Sequence, residues 1–259
     1  MFWRKKATID ADEEHWQLET WAWLLRHFGG VEGLWHWSQL YPRHEDFPRT
    51  GLKGHDHAKA VFAQVAAAVE VGTSTFRLEP QGRSVDPRLG GQAIVQNAPA
   101  SPLGTYSHDG RDNIVTYDPA QLSDLQGLIA TFIHELCHPL LLAVPFAPPG
   151  DAELEEHATD LATVFFGFGV FGGNQAFRFQ QHRDDASGTQ GWSFGRAGYM
   201  TQNEWGYALA LRARLSGEPI DPIRHHATPE LWTHVSRNAR YLEANPHVVA
   251  ELLHPDRQR

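Results

Sequence analysis

His134-Glu135-Leu136-Cys137-His138 lies inside an apolar stretch, with Leu128-Ile129-Ala130-Thr131-Phe132-Ile133 before it and Leu140-Leu141-Leu142 after it. The stretch predicts a helix. On a helix, positions i and i+4 share a face, so the two imidazoles stand side by side, with Glu135 about 100° further round. Paired imidazoles are a metal-ligand pair, and a carboxylate beside them can take a proton from a water on the metal without ligating it. The plainer alternative is an amphipathic helix with two half-exposed histidines. With 16 His and 31 acidic residues in the chain, a chance match has weight. The flanking residues argue against chance: the helix reads as buried, and two histidines and a glutamate on a buried helix are costly unless paired or metal-bound.

A third ligand is expected downstream, in Asp151-Ala152-Glu153-Leu154-Glu155-Glu156-His157-Ala158-Thr159-Asp160. Two His and one Glu are a common set for a catalytic zinc, with the fourth position open. Glu156 is the choice for that Glu. It lies 18 residues beyond His138, which leaves room for a helix end, a loop marked by Pro145, Pro148, Pro149 and Gly150, and a returning helix. Asp160, one turn later on the same face, is placed to accept the second ring N–H of His134 and fix its tautomer. Glu155 and His157 are alternatives one position away, and Glu153 and Glu155 also suit the simple role of acids at a helix start. Cys137 reads as a packed thiol. Pro139 predicts a kink or break just after His138, because its ring clashes with the carbonyl of Glu135.

His134, Glu135, His138, Glu156 and Asp160 together resemble the gluzincin branch of the zincin metallopeptidases, over about 40 residues. Residues 159–169, with Gly198-Tyr199-Met200, are also similar to a group of bacterial zincin-like proteins of unassigned role. The extended metzincin pattern does not fit, since Leu141 and Val144 stand where it needs glycine and histidine. The gluzincin resemblance implies one zinc per chain on His134, His138 and Glu156, Glu135 as general base, and metal-assisted hydrolysis of a peptide or protein substrate. It also implies an oxyanion donor beyond the glutamate helix, for which Tyr199 is the first candidate and Arg196 and His182 are others. Zincins dock an extended peptide along a sheet edge. The run Asn113-Ile114-Val115-Thr116-Tyr117 is a candidate for that edge, or else an ordinary central strand. Two other functions fit the same motif: a catalytically silent zinc-binding regulatory or scaffold protein, and a zinc hydrolase of non-peptide amides.

The rest of the chain sets bounds. With 259 residues, 41% hydrophobic and 20% charged, it is an ordinary globular chain able to bury a core. A net charge of −9 lacks the electrostatic footprint of a nucleic-acid binder and disfavours anionic membranes. Met1 to Asp10 carries basic residues with no apolar run after them, unlike a secretory signal. The apolar runs at 128–149 and 161–173 are, respectively, interrupted by charge and proline and short of the ~20 residues a membrane span needs. One cysteine excludes an internal disulfide, and a cytoplasmic location is expected.

The expected fold is α+β: a mostly helical zincin-like architecture with a small mixed β-sheet before the motif helix and extra N- and C-terminal helices. Residues 1–52 read as a Trp-rich helical segment packed on the core, 53–217 as the catalytic core, and 218–259 as C-terminal helices, all in one compact unit. Helices are predicted at 11–28, from 54 to about 71, at 202–215, and after the Thr228-Pro229 and Asn245-Pro246 starts. Asp118-Pro119 reads as the start of the helix leading into the motif. Strands are predicted at 74–79, 92–96 and 113–117. Six of the nine Trp precede residue 40, and they read as core rather than a ligand platform. The Gly-, Gln- and Arg-rich stretch after residue 173 reads as an active-site wall.

Overall fold

A computed structural model describes residues 6–82, 103–152, 154–176 and 200–253. The elements run α1 (Ala11–His27), α2 (Gly30–His36), α3 (Gly54–Ala68), β1 (Phe76–Pro80), β2 (Gly104–His108), β3 (Asn113–Tyr117), α4 (Leu125–Leu142) and α5 (Glu155–Phe165). A helical segment over 169–176 follows, here α6. Then come α7 (Gln202–Ser216), α8 (Asp221–Arg224), α9 (Pro229–Ala244) and α10 (His247–Leu253). The expected mixed α+β class with a small sheet is what the chain forms. The strand expected at 92–96 and the long stretch after 176 lie outside the described residues.

The sheet has the order β1-β3-β2, with β1 parallel and β2 antiparallel to β3. Of the two readings open for 113–117, edge or central strand, the structure forms the second: among the described residues β3 lies between β1 and β2, and β2 is the edge beside the motif helix. The register sets Gly104 opposite Tyr117 and Tyr106 opposite Val115. Side chains alternate along a strand, so these four positions share one face, and Val115 and Tyr117 are fully buried on it. Tyr117 meets Phe132 of α4 edge-on, with centroids 5.8 Å apart, and Phe62 of α3 meets Phe132 at 5.3 Å. The sheet therefore lies on α4, with α3 wedged beside it.

Asp118 and Pro119 start only a single 3-10 turn, Pro119–Ser123, and Asp124 is the residue that caps α4, accepting from the Gly127 N–H. The two-step entry turns the chain from the sheet onto the helix. No break follows His138: α4 continues through Pro139 to Leu142. Proline removes one intrahelical bond there, and α4 has only one more turn to run, so burial of its earlier face outweighs the loss. Among the described residues α4 is the one helix long and apolar enough to cross a membrane, and 67% of it is buried inside the fold, as in a core helix.

Of the described tryptophans in the N-terminal segment, Trp16, Trp21, Trp23 and Trp37 pack into the fold, while Trp35 is 60% exposed. Trp21 and Trp23 are buried in the same apolar core that runs from Ile9 to Leu252. Trp37 packs edge-on against Phe166 at 4.8 Å, and Phe28 does so at 5.3 Å, which anchors α1 and α2 on the end of α5. Such aromatic pairs add about 0.5–1.5 kcal/mol each beyond area burial. Gln17 of α1 donates to the carbonyl of Glu204, and Tyr207 of α7 and Tyr241 of α9 both donate to Glu14.

Candidate metal centre

His134 and His138 stand one turn apart on α4, and Glu156 lies in the first turn of α5, which packs alongside. Donor atoms of the three side chains all lie within 4.8 Å of one another. The Nε2 of His134 is 2.9 Å from Oε2 of Glu156, and the Nε2 of His138 is 3.8 Å from the same oxygen. A tetrahedral zinc with bonds near 2.0–2.1 Å spaces its donors by roughly 3.4 Å, so these separations bracket the value an ion needs. Two imidazoles and one carboxylate are also the right donor chemistry.

Asp160, one turn beyond Glu156, places Oδ1 2.9 Å from Nδ1 of His134. Its other oxygen accepts the backbone N–H of Met200 at 2.8 Å. The carboxylate is thus fixed at both ends, and it fixes the ring of His134 in turn. Glu155 is exposed and takes no part in the three-donor cluster, and His157 is buried edge-on to Trp16 at 6.0 Å. Glu153, Tyr199, Arg196 and His182 lie outside the described residues.

Electrostatics follow from burial. Burial works against charge on His134, but the hydrogen bonds to Asp160 and Glu156 hold its pKa well above the ordinary value. Burial and the charge of His134 push His138 down to about 4, with Glu156 opposing. Burial would raise Glu156, yet its hydrogen bond to His134 and the nearby imidazoles keep it below the usual range. A proton therefore bridges His134 and Glu156, and a cation held by the same atoms must displace it. Burial lifts Glu135 to about 7; the charge of His134 opposes the rise and that of Glu156 adds to it. Burial, together with the charges of Asp160 and Glu135, pushes the Cys137 thiol up, which makes it a packed group and not a nucleophile.

Two residues that the sequence did not single out complete the site, both on edge strand β2. Gly104 abuts α4 so closely that a Cβ there would sit 2.4 Å from Cγ2 of Thr131 and 2.9 Å from Oε1 of Glu135. Tyr106 stacks on the His138 ring at 5.9 Å and 16°, and its hydroxyl donates to Asn113 at 2.8 Å. A two-residue step along the strand thus matches the three-residue step from Glu135 to His138 on the helix. The Gly-Thr-Tyr-Ser-His composition of β2 carries no clear alternation, so the sequence does not announce a strand there. Strand β2, Glu135, the metal-ligand candidates and Leu142 enclose an open cleft of about 380 Å³.

No protein-family model, curated protein or solved structure matches this chain. The geometry of the site is therefore what bears on function.

Proposed function

We propose that the chain is a zinc-dependent hydrolase of zincin type, acting on peptide bonds. The observation that carries this reading is the convergence of His134, His138 and Glu156 from two helices onto one point. When bound there, zinc supplies Lewis acidity toward a water and toward the scissile carbonyl. Glu135 lies on the cleft wall beside the three donors, with Oε2 3.8 Å from Nε2 of His138. Its place on the cleft wall suits this carboxylate to accept a proton from a water in the cleft and pass it to a leaving amine. Asp160 and Tyr106 hold the two imidazole rings in place. Edge strand β2 offers backbone groups along the cleft on which an extended peptide can pair. Tyr199, outside the described residues, is the first candidate for the oxyanion donor on the gluzincin resemblance.

Metal analysis of the purified chain tests the reading. The expected result is about one zinc per chain, lost in Glu156→Ala, with hydrolysis of a peptide mixture that a chelator stops. Stoichiometric zinc retained in that variant overturns the ligand set. Zinc bound with no hydrolysis of any peptide overturns the peptidase in favour of a metal-holding scaffold.

A further inference from the structure

Beyond His138 the cleft opens into a second hollow of about 330 Å³. Its lining includes Leu141 and Val144, Pro148 and Pro149 of the α4–α5 loop, and Thr159 of α5. His138, Leu142 and Glu155 line both hollows, so the second is a side chamber of the first. We propose that this chamber is the subsite that receives a bulky apolar side chain of the substrate, next to the bond being cut. The proposal rests on the metal-hydrolase reading.

Three observations support it. First, the lining is apolar: Leu141 and Thr159 are buried in its floor, and the prolines form a wall without free N–H groups. A volume near the lower end of the usual 300–1,000 Å³ range for ligand pockets suits one or two large side chains. Second, the chamber is built, not incidental. Trp16 of α1 donates its indole N–H to the carbonyl of Pro149 at 3.0 Å. The next residue, Gly150, has φ +114°, and a Cβ there would sit 2.8 Å from Cδ1 of Leu154 and 3.2 Å from the Trp16 indole nitrogen. Only glycine fits, so the loop is pinned in one shape from outside. Third, apolar surface continues out of the mouth. Leu142 is 66% exposed on the lip shared with the cleft, and Phe146, between the lining residues Val144 and Ala147 in the chain, is 68% exposed. Apart from His138, the charged side chains of the lining are Asp151 and Glu155, both carboxylates. Both are exposed, at the mouth of the chamber, where they repel an acidic substrate residue.

Amino-acid hydroxamates, which seat on a protein-bound zinc and project one side chain, provide the probe. Zinc content of the full chain is measured first, and then binding of the Gly, Leu, Phe and Asp hydroxamates by calorimetry. Leu and Phe hydroxamates are expected to bind at least tenfold tighter than Gly, and Asp weaker than Gly. Val144→Phe, which fills the chamber from its wall, is expected to bring the Leu-to-Gly affinity ratio close to one. Ala147→Trp, at an exposed position on the rim, makes the same test should the first variant fail to fold. A zinc-loaded chain that binds all four alike, or a preference that survives the filling substitution, overturns the subsite and leaves the metal centre standing. A chain that takes up no zinc overturns both.

Discussion

Glu135 is 4% exposed, and its carboxylate is lifted to about 7 because water is kept from it. Glu135→Gln keeps the shape and removes the proton acceptor. Peptide hydrolysis is expected to fall about 10²–10⁴-fold while bound zinc, read by metal analysis, stays at one per chain. Asp160 acts through His134. Asp160→Asn loses the charged partner of Nδ1 and is expected to weaken zinc binding about 10–100-fold in chelator competition. The proton between His134 and Glu156 adds a pH dependence with a definite sign. Because His134 holds that proton above its ordinary range, zinc must compete with it past neutrality. Zinc affinity is therefore expected to rise with pH across the neutral range, with a proton released on binding that calorimetry in buffers of different ionisation enthalpy detects. At this scale the sequence was informative. His134 and His138 are neighbours on any helix, and Asp160 is a neighbour of Glu156 on any helix, by spacing alone.

Between elements, the contact that shapes the site is β2 against α4. Gly104→Ala would place a methyl within 2.4 Å of Thr131 and 2.9 Å of Glu135. The strand must then lift off the helix, at a cost of about 1–3 kcal/mol by the usual penalty for overpacking. Thermal unfolding is expected at a lower temperature, and hydrolysis falls with it, because Tyr106 moves off His138 along with the strand. The motif helix was legible because its apolar run is long and continuous. The clash rule for Pro139 predicted a kink or break; of the two, the break does not occur, because burial of the helix carries it through to Leu142. The edge strand was not legible. Five residues of mixed polarity become a strand only by pairing with β3, a partner that sequence position does not announce.

Across the whole molecule, α1 and α7 meet through Glu13 and Glu204. Glu13 is the third residue of α1 and closes its capping box with Asp10, and burial with the nearby Glu204 lifts it to about 7; Glu204 is raised as well. The folded chain holds a proton that the unfolded chain releases above the ordinary carboxyl range near 4.5. The contribution to stability is therefore full below pH 4.5 and is lost as pH rises towards 7. Glu13 is half exposed, so the effect is discounted to on the order of 1–2 kcal/mol, or a few degrees in Tm for a chain of this length. Glu13→Gln is expected to flatten the fall in Tm between acid and neutral pH; an unchanged slope would place its origin elsewhere.

Sequence by itself determined what repeats along the chain at short range: the helix carrying two imidazoles and a carboxylate, the loop prolines, the returning helix with its acids, and the helix start at Thr228. Tertiary structure decided which acid of Glu155, Glu156 and His157's neighbourhood faces the imidazoles, that β3 is central and β2 the edge, and that Trp16 reaches the α4–α5 loop. The division has a physical origin. Helical spacing is fixed by backbone hydrogen bonds four residues apart, whereas strand order and the rotation of one helix against another are set by burial between residues distant in the chain.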